Sequence, residues 1–218
     1  MTTLLAAAII ATGGEQRPEW ATATVPDTIV ALVERAAGEA DGDDRKALLR
    51  EAEKQARAAV VELDDVGRRY ALAIVLGLRA NAEGGKTKVQ AAAALSDELD
   101  VILAREPDHA GARHMLGRLH AGIRRMGRIT RWLATNIMGG EALSRATWQS
   151  AEENLTFAEQ RAPGVLDHHL QLALLYRDTG RPELAAREVQ HVLELEPRNV
   201  LDQAVREEAL RVRSELGQ

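Results

Sequence analysis

The sequence predicts an all-α protein built of stacked helical hairpins, and three observations carry that prediction. Aromatic residues make up only 3% of the 218-residue chain. Alanine and leucine must therefore build the core, which suits closely approaching helices better than strands, since strands draw on β-branched and aromatic side chains. From Pro26 onward apolar residues recur at helical spacing between short breaks. In the downstream half the pattern repeats at an interval of 34 residues, from Pro163 to Pro197.

The elements follow in order. "DTIVALVERAAGEA" opens with Asp27 as an N-cap, sets Ile29, Val30, Leu32, Val33 and Ala36 on one side, and ends near Gly38. "DDRKALLREAEKQARAAVVEL" is the second helix. "DVGRRYALAIVLGLRANAEGG" is closed by Gly84 and Gly85, and "KTKVQAAAALSDELDVILAREP" is stopped by Pro107, so two hairpins are complete before residue 108.

"HHLQLALLYRDTGRPELAAREVQHVLELEP" then shows Leu172, Ala173, Tyr176, Gly180, Ala185 and Pro197 at positions 7, 8, 11, 15, 20 and 32 of a tetratricopeptide repeat. Small residues at positions 8 and 20 let the two helices approach, and larger ones at 7 and 11 fill the contact. One period earlier, Ala151, Leu155 and Ala158 precede Pro163 at positions 20, 24 and 27, while Leu116, Gly117 and His120 hold positions 7, 8 and 11 of the first helix of that repeat. Pro107 lies 56 residues before Pro163, so 22 extra residues separate the two helices of one repeat. The expected architecture is a right-handed α-α superhelix of tetratricopeptide-type hairpins with a 22-residue helical insert, about 124–145. A capping helix at about 200–216 carries apolar Leu201, Ala204, Val205, Ala209, Leu210 and Val212. Nine array helices and one short insert helix result.

With these residues laid out, the chain resembles the regulator of microtubule dynamics family of tetratricopeptide-like proteins. The resemblance rests on the "HMLGR" helix, the interrupted second hairpin whose Trp-containing insert ends in Met-Gly-Gly, an "A…W/Y…A" helix, and the standard repeat that follows. It covers roughly residues 40 to 216. What it implies is an α-helical superhelix used for protein interaction, with microtubules and organelle-contact proteins as partners in eukaryotic members. This chain departs from those members at its N-terminus and in its Ala/Arg-rich composition. The fold and the binding role therefore carry over, and a microtubule partner is disfavoured.

Residues 1–25 are expected to be a signal peptide or a disordered tail ahead of a helical domain at 26–218. An apolar run from Leu4 to Ala11 precedes cleavage candidates at Ala11-Thr12-Gly13 and Ala21-Thr22-Ala23, although no Lys or Arg precedes the run. Export to a periplasm-like compartment is the expected location, with the cytoplasm as the alternative. Eight apolar residues are too few to span a bilayer, which needs about 20.

Catalytic chemistry finds little support. There is no cysteine, so disulfides, thiolate metal sites and cysteine nucleophiles are excluded. "AEGGKTKV" contains Gly-Lys-Thr, but Ala80 stands where a phosphate loop needs glycine and a helix stands where it needs a strand. Ser96, Ser144, Ser150 and Ser214 sit in helical or capping contexts, with no nucleophile elbow. Among His109, His114, His120, His168, His169 and His191 no pair has the spacing of a helical zinc motif, and no carboxylate accompanies His114 or His120. No enzyme activity, metal or cofactor is expected. His120 reads as a core histidine and His114 as a groove residue.

Two surfaces are candidates for binding a protein or peptide. The superhelix groove would present His114, Arg118, Leu174, Arg177 and Asp178, a mixed apolar and cationic set. The insert would present Arg124, Arg128 and Arg131 at i, i+4 and i+7 on one helix face, with Ile129, Trp132, Leu133 and Ile137 toward another. Between His109 and Gly140 there are six arginines and no Asp or Glu, a local charge of +6 that leaves −11 for the rest of a chain of net −5. Either the arginines pair with carboxylates of adjacent helices while Trp132 and Leu133 pack into the array, or they serve an acidic partner or an anionic membrane surface. Nucleic acid is disfavoured by the acidic whole. The oligomeric state is left open.

Overall fold

The computed structural model describes residues 18, 20–136, 138, 140–198 and 200–217, which contain ten α-helices and no strand. In chain order they are α1 (Asp27–Gly38), α2 (Gly42–Glu62), α3 (Val66–Ala82), α4 (Gly85–Arg105), α5 (Ala110–Arg125), α6 (Arg128–Asn136), α7 (Trp148–Arg161), α8 (Leu166–Asp178), α9 (Pro182–Glu194) and α10 (Val200–Glu215), with a 3-10 turn at Glu141–Arg145. Among these residues no helix is long and apolar enough to cross a membrane. The chain forms two compact units. One runs to Pro107 and takes in Trp132–Ser144; the other comprises Asp108–Arg131 and Arg145–Gln218.

In the first unit α3 is the central helix, buried without a break from Ala71 to Leu78 and packed by α2 and α4. Helix α2 meets it with a stripe of Leu49, Ala52, Ala56 and Ala59, spaced three and four apart so that small side chains face inward. The helix starts follow from capping. Asp41 accepts hydrogen bonds from the Asp43 and Asp44 N–H groups, and Asp65 accepts one from Arg68. Asp27 is the first residue of α1, with Pro26 at the cap position, so the cap lies one residue before the one expected. Residues 1–17 and 19 of the expected signal segment lie outside the described residues. Trp20, Ala21 and Val25 are buried in this unit, and the Thr24 carbonyl accepts the Arg68 Nε–H, so cleavage at Ala21-Thr22-Ala23 would remove core residues.

A carboxylate clamp closes the end of this unit. Asp64, in the α2–α3 connection, accepts from Arg69 of α3 at 2.5 and 2.9 Å and from Arg105 of α4 at 2.8 Å through each oxygen; Arg69 also reaches Glu98 at 2.7 Å. These two guanidinium partners, Arg69 first, hold the Asp64 carboxyl well below the usual carboxylate range. A carboxyl whose folded pKa is depressed stabilises the fold above its unfolded pKa, and the contribution is lost as pH falls through the folded value. Asp64→Asn is therefore expected to lower the thermal midpoint at pH 7 and to flatten the fall in midpoint below about pH 4. Parallel acid limbs for the two proteins in a pH series of melts would reject this role.

In the second unit α8 is central. Every residue from Leu166 to Leu175 is buried, and α5, α7, α9 and α10 all pack on it. Leu116, Gly117, His120, Ala151, Leu172, Ala173 and Ala185 are buried at their repeat positions. Leu172 and Ala151 share a cluster with Ala121, Leu155 and Leu175, against which Trp148 and Tyr176 pack. Helices α5 and α7 pair directly, although the insert separates them in sequence. Gly180 takes a left-handed conformation, φ 72°, at the end of α8, where the Arg181 N–H donates back to the Tyr176 carbonyl. Pro182 then starts α9. Pro107, Pro163 and Pro197 each follow a helix end by two or three residues. The last helix, α10, buries Val205, Ala209 and Val212 against α8 and α9, whereas Leu210 is exposed.

The insert departs from expectation in one respect. Arg124, Arg128 and Arg131 do not share a helix: α5 continues through Arg125, Met126 turns to extended backbone, Gly127 follows, and α6 begins at Arg128. A glycine after the last apolar residue of α5 favours that stop. Downstream, Ala134 and Leu143 are buried, and a Cβ at Gly140 would stand 2.8 Å from Val89 Cγ1 of α4. The second half of the insert is thus seated on α4. Ile137 lies outside the described residues.

Candidate functional site

Polar residues of the second unit gather around α8. His114 and Arg118 lie one turn apart on α5, and both reach Asp167 in the first turn of α8. Asp167 Oδ2 accepts from Arg118 Nη1 at 2.5 Å and meets His114 Nε2 at 3.0 Å, while Oδ1 accepts from Gln171 at 2.9 Å. Asp167 is 5% exposed. Burial alone would raise its carboxyl; the Arg118 charge, the His114 contact and the Gln171 hydrogen bond outweigh that and hold it well below the usual carboxylate range. The carboxylate for His114, which the sequence did not pair with any, comes from 53 positions away because α8 packs on α5.

Next to this group the His168 ring lies 4.6 Å from that of His114. Burial and then His114 push His168 down to about 4, so it is neutral at pH 7. The Nδ1 atoms of both rings are buried without a hydrogen-bond partner among the described residues. His120 is buried and its Nδ1 lies 2.9 Å from Ser150 Oγ, while the Ser150 carbonyl accepts from Asn154. A hydroxyl beside an imidazole resembles an activated nucleophile. Ser150, however, sits in the first turn of α7, where its N–H donates to the Thr147 hydroxyl and its Oγ also accepts from Asn154 Nδ2 at 3.4 Å.

A third group joins α8 to α9. His169 Nδ1 lies 2.8 Å from Glu188 Oε2, and His191 Nδ1 lies 3.5 Å from the same oxygen. The other nitrogen of His169, Nε2, donates to the Pro163 carbonyl at 2.8 Å. The metal-type donor atoms of the three side chains all lie within 4.8 Å of one another.

The remaining groove residues are largely committed to one another. Arg177 pairs with Asp178 at 2.9 Å and with Glu215 of α10 at 2.8 Å; Asp178 also accepts from Arg125 at 2.5 Å. Leu174 is buried. In this unit the expected groove set is thus a charge network that ties α5, α8 and α10 together.

The insert is mixed, with Arg125 already paired to Asp178. Arg124 is half-buried on α5, with Nε lacking a partner among the described residues. Arg131 is half-buried and Arg128 is exposed on α6. Trp132 is 57% exposed, held on a helix whose other side carries buried Ala134. Of the two readings of the basic segment, pairing applies to Arg118 and Arg125, and Trp132 does not pack into the array.

Sequence spacing did not pair Asp167 with His114 and Arg118, nor did it bring His169 together with Glu188 and His191. The signal was the repeat register, which places position 4 of the first helix beside positions 23 and 26 of the second. A family model described as Regulator of microtubule dynamics protein 1-3 matches residues 28–217. No curated protein matches the chain.

Proposed function

Because the chain belongs to the regulator of microtubule dynamics protein 1-3 family, we propose that it is a non-enzymatic protein-interaction module of tetratricopeptide type, and that the outer face of α6 is where its partner docks. The observation that carries this reading is Trp132, 57% exposed one turn after exposed Arg128 on a helix anchored by Ala134. Tryptophan and arginine are the side chains that most often dominate protein interfaces, because each buries a large flat surface while keeping a polar handle. A partner surface with a carboxylate beside an apolar pocket fits this pair. The tetratricopeptide assignment is supported by the 34-residue interval between Pro163 and Pro197 and by the buried small residues Gly117, Ala151, Ala173 and Ala185.

The experiment is a crosslinking pulldown with the purified full chain in extract of its native host. Saturable capture of a protein is expected, and Trp132→Ala combined with Arg128→Glu should abolish it. Both side chains are exposed, so the thermal midpoint should correspond to a change within about 0.5 kcal/mol. Capture that survives the double substitution would move the docking face elsewhere. No protein capture, with binding to anionic liposomes lost in the double variant, would replace the protein partner by a membrane surface.

A further inference from the structure

We propose that His169, Glu188 and His191 form a binding site for a zinc-type divalent cation that clamps α8 to α9. The argument starts from the Pro163 carbonyl. It can only accept, so the hydrogen bond at His169 Nε2 puts a proton on that nitrogen. In the neutral ring, Nδ1 then presents a lone pair, and it faces Glu188 Oε2, another acceptor, at 2.8 Å. Two acceptors at that separation need a positive charge to hold them. A proton on Nδ1 would suffice for one imidazole. Here a second imidazole converges on the same oxygen, with His191 Nδ1 at 3.5 Å and the two rings edge to face at 5.1 Å.

Two imidazole nitrogens and a carboxylate oxygen are the donor set of three-ligand zinc sites. Around a tetrahedral ion with bonds of about 2.0–2.1 Å, donor atoms stand roughly 3.3 Å apart. The two nitrogen-to-carboxylate separations, 2.8 and 3.5 Å, bracket that value, and all three donors lie within 4.8 Å of one another, so side-chain rotation that draws the two imidazoles together completes the site. The Pro163 carbonyl supplies the outer hydrogen bond that orients a ligating histidine and selects its metal-facing nitrogen. Imidazole donors favour zinc, nickel, cobalt or copper over magnesium and calcium, which take oxygen ligands. His169 is buried and His191 half-exposed, so the fourth coordination position opens toward solvent.

The sequence spacing concealed this set. Glu188 and His191 are i and i+3 on α9, whereas His169 sits on α8 and joins them only through the hairpin.

The test uses the untagged full chain and Zn²⁺ alone, titrated against a chelating indicator. One equivalent bound per chain is expected, with a rise in thermal midpoint, and Co²⁺ in place of Zn²⁺ should give the visible absorption of a four-coordinate nitrogen and oxygen site. His191→Ala removes a half-exposed side chain and should leave the far-UV spectrum unchanged while weakening Zn²⁺ binding more than about tenfold. Glu188→Gln should do the same. Absence of saturable binding, or binding that neither substitution weakens, overturns the proposal.

Discussion

Replacing Gly117 by alanine is expected to destabilise the second unit by about 1–3 kcal/mol, because the added methyl has nowhere to go. A Cβ at Gly117 would stand 2.7 Å from Leu155 Cγ, 3.0 Å from Leu155 Cδ2 and 3.0 Å from the Ala151 carbonyl oxygen. Neither neighbour yields easily. Leu155 and Ala151 are fully buried, and the carbonyl belongs to the backbone of α7. Helix α5 must therefore back away from α7, and the buried cluster of Ala121, Leu155, Leu172 and Leu175 must open with it. At roughly 2–4 °C per kcal/mol for a chain of this size, the midpoint should fall by several degrees in a melt followed by far-UV circular dichroism. The partner experiment is Leu155→Ala. Alone it leaves a cavity at a fully buried site and should cost about 2–5 kcal/mol. Together the two substitutions should cost less than their sum, since the space left by the leucine receives the new methyl, and contacting residues typically couple by about 0.5–3 kcal/mol. Strict additivity would show that Leu155 is not what limits the approach of α5 to α7.

That close approach was legible in the sequence, and the reason is local. Gly117, Ala151, Ala173 and Ala185 stand at fixed offsets from the prolines that end helices, and an offset survives folding unchanged. Helix starts and stops were legible for the same reason, to within a residue or two. What the sequence obscured depends on pairing between helices. Arg124, Arg128 and Arg131 are spaced as one helix face, yet the chain breaks between Arg125 and Arg128, because Gly127 weakens the helix at the point where the second half of the insert turns to seat Gly140 and Leu143 near Val89. His114 had no carboxylate near it in sequence, and it acquires Asp167 only because α5 lies beside α8. Likewise His169 meets Glu188 only through the α8–α9 hairpin.

The excess of arginine between His109 and Gly140 can now be resolved residue by residue. Arg118 and Arg125 reach from α5 to aspartates of α8, at its start and its end, so they fix the lengthwise position of one helix against the other. Arg113 donates to Asn154 and lies 5.0 Å from the Phe157 ring centre, with Arg161 at the same distance. These are internal uses of charge, achieved by flat guanidinium groups that stack and donate at once. Exposed Arg128 has no such use among the described residues, and it is one turn from Trp132. The charge asymmetry that first suggested a single anion-binding patch therefore includes a structural part, Arg113, Arg118 and Arg125 on α5, and an exposed residue, Arg128 on α6.

The structural part predicts a second large effect. Asp167→Ala should cost about 3–5 kcal/mol, because it leaves the Arg118 guanidinium, whose side chain is 11% exposed, without its counter-charge. It also removes the partner of His114 Nε2, in a ring whose Nδ1 is already buried without a partner among the described residues. Asp167→Asn should cost less than the alanine substitution, since the amide oxygen can still accept one hydrogen bond, but the charge is lost. The decisive variant is the double replacement Asp167→Leu with Arg118→Met. Substituting both members of a buried ion pair by apolar side chains is often neutral or stabilising, whereas removing one strands the other. Urea denaturation should therefore give a midpoint well below that of the parent for Asp167→Ala and a substantial return toward it for the double variant, with the slope unchanged in both. A double variant as unstable as Asp167→Ala would mean that packing around α8, not the stranded charge, sets the loss, and the pair would then be a consequence of the fold and not one of the contacts that align α5 with α8.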